Sequence, residues 1–308
     1  MEINTLGIVL KYYRKKYEIV LEDLCDGICV PAIASSVEAG EKVVDSLMAE
    51  SLLGRLGKTV LQFELLLNDK DYVLWNLREE IKKAEQIEDY IQVERLLKKY
   101  HAKMPSKSVH KQFYLYYCAK CKMFDAAPKE IICQMLYEAL MLTKAKADKR
   151  NVVLYNPLEI EMILLLHRYE FSKWIHKDIE AELYNILIFV RKMYSGRLKQ
   201  KVGTQILLEL VSYEQKIGDY IRAIKYADEA IAFLSQGRSL EHIAELHFIK
   251  AQMIEKLYNR SEKWETEKHA CKRECLMAYY VFDIMEQEDK RAELENYCEE
   301  KLGWQITE

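Results

Sequence analysis

The sequence has little that would interrupt helices. Only 10 glycines and 4 prolines occur among its 308 residues, so few positions force a turn or break a helix. Hydrophobic residues make up 50% of the chain and charged residues 31%. This composition predicts an all-α protein, and its length allows two domains or one domain followed by a repeat array.

Long apolar runs and an excess of positive charge are also missing. No run approaches the roughly 20 residues that span a bilayer, and the N-terminal segment carries its charges after its apolar residues, the reverse of a signal peptide. The net charge is -3, so any binding of nucleic acid must come from a local patch. We expect a soluble, cytoplasmic protein without a membrane partner.

Cysteine is too sparse for a disulfide scaffold, since the chain has 8, and we expect reduced thiols. Three close pairs raise the question of zinc: Cys25 with Cys29, Cys118 with Cys121, and Cys271 with Cys275. Neither a second CxxC nor a pair of histidines stands at ligand spacing. The interpretation as small buried hydrophobes is favoured, and the sequence predicts no metal and no cofactor.

Catalytic motifs are missing as well. The sequence contains no HExxH, no GxSxG and no glycine-rich phosphate loop. His242 and His247 are five residues apart, a spacing that does not align them on one helix face. We therefore predict that the protein is not an enzyme.

The first 62 residues predict four short helices. The helices are expected at residues 5–17, at 21–26, from Pro31 to a stop at Gly40, and from an N-cap at Asp45 to Leu56. The segment from Leu6 to Lys42 resembles the Cro-like (XRE) helix-turn-helix, on matches in order and spacing at Leu6, Gly7, Arg14, Leu24, Val37, Glu38 and Gly40. The resemblance implies a DNA-binding domain over residues 1–62. It also implies that Arg14 and Glu38 form an ion pair that ties the first helix to the third.

In that family the start of the third helix reads base edges in the major groove. Here this stretch is apolar, with Val30, Pro31, Ala32 and Ile33. The arginine that often precedes the Ile-Glu element is replaced by Ser36. The remaining candidates for DNA contact are Ser35, Ser36 and Lys42 near the third helix, and Lys11, Lys15 and Lys16 as phosphate contacts.

The charge of this segment argues against strong non-specific binding of DNA. Residues 1–62 carry seven basic and nine acidic side chains. Weak binding follows, unless dimerisation doubles the contacts or the acidic side chains face away. For the candidate lysines, the alternative to phosphate contact is an ordinary solvated helix face.

The rest of the chain predicts pairs of amphipathic helices. Hairpins are expected at 72–102, 108–146, 157–195, 198–236 and 239–286, with a last helix near 288–301. Repeat spacings of 30 to 45 residues are typical of a solenoid in which each hairpin buries its apolar face against the next. We predict a repeat domain over residues 63–308.

One unit, residues 204–236, resembles a tetratricopeptide repeat (TPR). Its turn holds Gly218 and Tyr220, and small residues recur on its second helix at Ala223, Ala227 and Ala230. Weaker similarity to the repeat occurs in two other units, at Glu88, Asp89, Tyr90 and Val93, and at Tyr137, Ala139 and Leu140. The resemblance implies a right-handed superhelix of TPR-like hairpins.

In such repeats the first helix of each pair lines the concave surface. Candidate ligand contacts are therefore Gln205, Ser212, Gln215 and Gln252, and a tyrosine cluster adds Tyr114 and Tyr117. The alternative for the polar residues is a solvated face, and for the tyrosines it is packing.

A Cro-like head on a TPR-like array is similar to the peptide-pheromone-responsive regulators of Gram-positive bacteria. The resemblance implies a homodimer that binds a double-stranded DNA operator and a short peptide or protein ligand. A peptide in the concave groove would favour one curvature of the array and so change the spacing of two heads. The alternative is a protein-interaction module whose helix-turn-helix is degenerate and does not bind DNA.

Overall fold

The computed structural model describes residues 5–59, 69–144, 153–170, 178–237, 240 and 242–306. Within these ranges the regular structure is entirely helical, and the predicted all-α class is confirmed. None of the described helices has the length and apolarity needed to cross a membrane. The predicted boundary between residues 62 and 63 lies outside the described residues.

The first four helices form a segment that we call the head, residues 5–59. Its helices are α1 (Thr5–Lys16), α2 (Leu21–Cys25), α3 (Pro31–Glu38) and α4 (Ser46–Arg55). Pro31 stands in the first turn of α3, where its missing N–H costs no hydrogen bond. Asp45 caps α4 by accepting a 2.9 Å hydrogen bond from the Met48 N–H. The head therefore begins its helices where the sequence predicts them.

The remaining helices follow as hairpins close to the predicted ones. They are α5 (Asp69–Gln86) with α6 (Tyr90–His101), α7 (Ser108–Phe124) with α8 (Lys129–Lys144), α9 (Pro157–Arg168) with α10 (Ile179–Met193), α11 (Gly196–Ile217) with α12 (Tyr220–Gln236), and α13 (Ile243–Tyr258) with α14 (Trp264–Ile284), followed by α15 (Glu288–Leu302). Parts of three predicted hairpins, at 145–146, 171–177 and 239 with 241, lie outside the described residues.

Two of these hairpins share one turn design. Gly218 has φ of 84° and precedes Asp219, whose side chain accepts a hydrogen bond from the backbone N–H of Arg222. Glu88 has φ of 58° and precedes Asp89, which caps α6 in the same way. Glycine is usual in this left-handed position, so the turn at Glu88 does not match the glycine of the repeat motif. The capping aspartate is common to both turns and identifies this type of turn better than the glycine does.

The helices group into two compact units. The first comprises Met1–Ile179 with Lys192–Ser195, and the second Glu180–Arg191 with Gly196–Glu308. The head thus belongs to the same unit as α5 to α9, and the hairpins from α11 onward belong to the other.

The cysteines are free thiols and lie largely in the cores of the units. In the second unit Cys271, Cys275 and Cys298 are fully buried against Ala251 and Ala278. The described residues contain no group of three or more His, Cys, Asp or Glu side chains able to hold a metal ion. These three thiols act as small core residues.

Candidate functional site

A bidentate ion pair fixes α3 on α1. The Arg14 Nε lies 2.6 Å from Glu38 Oε1, and its Nη2 donates to Oε2 at 2.8 Å. The third nitrogen, Nη1, donates to the Ile19 carbonyl at 3.1 Å. A planar fork on a carboxylate sets direction as well as distance, so this pair determines how α3 is presented.

Gly7 lets the two helices approach. A Cβ at this position would overlap the carbonyl oxygen of Val37 and lie 3.0 Å from the Val37 carbonyl carbon. The Leu-Gly pair of the motif therefore has a steric reason, since only glycine leaves room for the backbone of α3.

The exposed start of α3 is apolar. Val30 is 58% exposed, and Pro31 and Ala32 are exposed as well. Ser35 is exposed and Ser36 is half-buried one position later. The surface that a major groove would meet thus offers mainly the Ser35 hydroxyl for hydrogen bonding.

The head presents less positive charge than its basic residues suggest. Arg14 is held by Glu38, Arg55 is buried, and Lys58 is buried with its Nζ 4.3 Å from the centre of the Tyr13 ring. The other four basic residues are exposed, namely Lys11, Lys15, Lys16 and Lys42. Any attraction to phosphate in the described part of the head rests on these lysines.

Arg55, at the end of α4, is the centre of a buried polar junction. It is 1% exposed. Its Nη1 donates to the carbonyls of Leu24, at 3.0 Å, and Asp26, at 2.6 Å. Both carbonyls belong to the end of α2 and the turn that leads to α3. The guanidinium therefore holds the turn between α2 and α3.

The other side of the same guanidinium contacts α8 and α9. Arg55 Nη2 donates to the Thr143 carbonyl at 3.2 Å and to Glu159 Oε1 at 2.9 Å. Glu159 is fully buried and also accepts from Thr143 Oγ1 at 2.7 Å and from the Asn156 N–H at 2.8 Å. Lys144 Nζ lies 3.4 Å from Glu159 Oε2 and donates to the Leu154 carbonyl. We call Arg55, Thr143, Lys144, Asn156 and Glu159 the Arg55 junction.

The charges in this junction depend on one another. Burial alone would raise the pKa of Glu159, but Arg55 and Lys144 outweigh it and hold that pKa below its usual range. Burial lowers the pKa of Lys144 to about 7, although the Glu159 carboxylate opposes the shift. A carboxylate that is buried in this way needs a compensating cation close to it.

Replacing Lys144 with Met is expected to remove a pH dependence of stability. An unfolded lysine titrates near 10.4 and the folded one at about 7, so between these values the unfolded chain binds more protons and stability rises with pH. The gain in stability from deprotonating Lys144 is complete above the pKa of the unfolded lysine and is lost as pH falls through 7. Urea unfolding should show wild type gaining on the order of 2 kcal/mol over the variant between pH 7 and 9.

Lys103 supplies the control for this measurement. It is an exposed lysine in the turn after α6, and Lys103→Met should follow the wild-type pH curve. Parallel curves for wild type and Lys144→Met would contradict the prediction.

A second junction joins the start of α4 to α5. Asp71 accepts from the Ser46 N–H at 2.9 Å and from its hydroxyl at 2.8 Å. Arg78 Nη2 donates to Ser46 Oγ at 2.8 Å and to Glu50 Oε1 at 2.9 Å. The capping residue Asp45 also accepts from Lys107 Nζ at 2.6 Å. Both ends of α4 are therefore fixed to the hairpins.

Sequence patterns alone do not reveal these junctions. Their signals are polar residues inside apolar stretches: Arg55 follows Leu52, Leu53 and Gly54, and Glu159 stands between Leu158 and Ile160. The Asn156 cap, which exchanges hydrogen bonds with Glu159 in a capping box, also marks the start of α9. The sequence shows that each of these polar residues stands in an apolar stretch, but it does not show that they contact one another.

The two candidate tyrosines differ in access. Tyr114 is half-buried and lines a cavity of about 270 Å³ between α6 and α7, with Lys98, Cys118 and Lys122 among its other walls. Tyr117 is 6% exposed, and its ring packs 4.6 Å from that of Phe113. Tyr114 is accessible to a ligand, whereas Tyr117 supports the packing.

The other four candidates lie in the second unit. Ser212 is exposed, and the three glutamines are half-buried, at Gln205, Gln215 and Gln252. Gln215 Nε2 lies 3.6 Å from the sulfur of Met253 and so links α11 to α13. These two helices are the first members of consecutive hairpins, which agrees with the expected repeat arrangement.

No protein-family model matches the sequence, and no curated protein is significantly similar to it. Solved structures do match. PlcR of Bacillus thuringiensis, in complex with the peptide PapR7 and DNA, has a TM-score of 0.55 and 14% identity, and the match covers 95% of this chain and 99% of that one. The apo form of the competence regulator ComR from Streptococcus vestibularis has a TM-score of 0.50 and 14% identity, covering 96% of this chain and 97% of that one. These likenesses show a shared fold of helical hairpins.

Proposed function

We propose that this chain is a transcriptional regulator in which a DNA-binding head responds to a peptide or protein ligand held by the helical array. The observation that carries the proposal is the Arg55 junction. One guanidinium bonds to the turn that precedes α3 and to the facing ends of α8 and α9. A change in the array at this point therefore reaches the helix that would enter DNA.

The structural neighbours support both binding partners. PlcR was solved with a peptide and with DNA, and nearly the whole of each chain takes part in the match. At 14% identity this likeness concerns the fold, so the partners are proposed for this chain on its own residues as well. For DNA those residues are the exposed lysines of α1 and Lys42. For the ligand there are two separate candidate surfaces, Tyr114 in the first unit and the polar side chains of α11 and α13 in the second.

We further propose that the regulator acts as a homodimer. Four exposed lysines per head give few phosphate contacts, and affinity for DNA depends on the number of phosphates neutralised. Two heads on adjacent half-sites double that number and read a longer operator.

Substituting Lys15 and Lys16 with Gln tests the DNA-binding role of the head. The full chain should first enrich a preferred sequence from a random double-stranded library. On that sequence the double variant should bind severalfold more weakly at physiological salt. Its plot of log affinity against log salt should be shallower by about 1 for each phosphate that the variant no longer neutralises. Binding measured by fluorescence anisotropy over a salt series gives both values.

Lys103→Gln is the matched control, because it removes one exposed lysine outside the head. It should leave the affinity and the salt slope unchanged. A wild-type chain that enriches no sequence and shows a flat salt response would refute the regulator proposal.

The second candidate function is a protein-interaction module whose head no longer binds DNA. It is favoured by one observation, the exposed apolar start of α3 at Val30, Pro31 and Ala32. Such a surface suits contact with a protein better than contact with base edges. The same library selection separates the two functions, since an interaction module enriches no DNA.

A further inference from the structure

Glu214, on α11, is a buried carboxylate without a hydrogen bond. It is 0% exposed, and neither of its carboxylate oxygens has a hydrogen-bond partner. Burying such a group is unfavourable because its hydration is lost without replacement. Burial, with a smaller effect of the Glu180 carboxylate, raises the pKa of Glu214 to about 7. Because burying Glu214 costs stability, packing does not explain why a carboxylate lies at this position.

Two further carboxylates lie beside it. Glu180 stands in the first turn of α10, and Asp219 caps α12. Arg222 lies beside all three and donates hydrogen bonds to two of them. Its Nε is 2.7 Å from Asp219 Oδ2 and its Nη1 donates to Glu180, whereas Glu214 Oε2 is 3.7 Å from the Nε. Tyr226 donates a 2.6 Å hydrogen bond to Glu180 Oε1 and holds that carboxylate in place. One guanidinium therefore faces three carboxylates and leaves Glu214 beyond hydrogen-bond distance.

The Arg222 side chain can move away from the three carboxylates into solvent. Its side chain is 47% exposed, and an exposed ion pair contributes little net stability, because water replaces its contacts and the side chain regains rotamer freedom. If the side chain swings into solvent, Glu214, Glu180 and Asp219 remain as an acidic site with two members already oriented.

We propose that Glu214, Glu180 and Asp219 form a binding site for an organic cation of the ligand, a guanidinium or a primary ammonium, which displaces Arg222. The inference rests on the proposed function and specifies the chemistry of its ligand. A metal ion is a poorer fit, since no metal-binding group occurs among the residues that the structure describes. A guanidinium supplies several donors in one plane, which suits carboxylates that converge from three helices.

The test compares two probes on the full-length protein. N-acetyl-arginine amide carries the cation, and N-acetyl-citrulline amide is its neutral isostere. Ligand-observed NMR titration should show the wild type binding the arginine probe at least about tenfold more tightly, as expected for charge-assisted hydrogen bonds. Glu214→Gln should abolish this preference, and Arg222→Gln should strengthen binding because the competing side chain is gone.

Glu262→Gln is the control, since it removes an exposed carboxylate of the same unit, between α13 and α14, and should keep the preference. Glu214→Gln removes a buried charge, so the variant should have a melting temperature at least as high as that of the wild type, measured by circular dichroism. Loss of binding in this variant would then not be due to unfolding. Equal affinity of the wild type for both probes, or an unchanged preference in Glu214→Gln, would overturn the proposal. DNA binding on the same preparation keeps this outcome distinct from failure of the regulator proposal.

Discussion

Arg55→Met is expected to lower the free energy of unfolding by about 3–5 kcal/mol, because it leaves a buried charge without its partner. Glu159 is 0% exposed and would keep only Lys144 as a cation, at a distance of 3.4 Å. The carbonyls of Leu24, Asp26 and Thr143 would also lose the donor that joins them. Methionine keeps much of the volume of the arginine stem, so the loss reports on the charge and its hydrogen bonds.

Two further variants isolate that cause. Replacing both Arg55 and Glu159 with Met should recover much of the loss, since a buried pair can be exchanged for apolar residues at small cost. Arg291→Met breaks the exposed pair with Asp283 and should cost under about 1 kcal/mol. Urea unfolding measures all three. An Arg55→Met variant as stable as Arg291→Met would show that the junction contributes little.

Gly27→Ala is expected to push the turn between α2 and α3 away from the end of α8 and so destabilise the protein. Gly27 has φ of 67°, a conformation that costs an L-residue about 1–2 kcal/mol. In addition, a Cβ there would lie 2.5 Å from the Cα of Thr143 and 2.6 Å from its carbonyl carbon. These are backbone atoms at the end of α8 and cannot rotate away, so the clash should add about 1–3 kcal/mol.

Gly218→Ala provides a matched control. Gly218 has φ of 84°, but no atom lies within 4 Å of the position of its added Cβ, so this variant carries the backbone strain without the clash. The difference in unfolding free energy between the two variants measures how closely the head approaches α8. Hydrogen exchange should rise in α2 and at the end of α8 only in Gly27→Ala. Equal destabilisation and unchanged exchange would contradict a close approach.

Much of the architecture follows from short stretches of sequence. The helices of the head begin at Pro31 and after the Asp45 cap, because proline and capping aspartate act on the nearest turn alone. The hairpins follow from helical periodicity. The turn at Glu88 shows where local rules mislead: a glutamate takes the left-handed position that glycine fills at 218, and the repeat looks weaker in sequence than it is in structure.

Some features of the candidate site can also be predicted from the sequence, and others cannot. Arg14 and Glu38 are 24 residues apart within one recognisable motif, and their pair is present in the structure. Tyr114 and Tyr117 look alike in sequence, yet one lines a cavity and the other is buried. Helical spacing places both side chains on the helix but does not say which neighbouring helix covers each.

By itself, the sequence determines that this protein is helical, where most of its helices begin, and that the residues at the start of its third helix are apolar where a DNA-reading helix would be polar. Only the tertiary structure decides that Arg55 meets Glu159, 104 residues away, and that Glu214 is buried without a donor. The physical reason is that capping and periodicity act over a few residues. The energy of a buried charge depends on every group around it, and those groups come from distant parts of the chain.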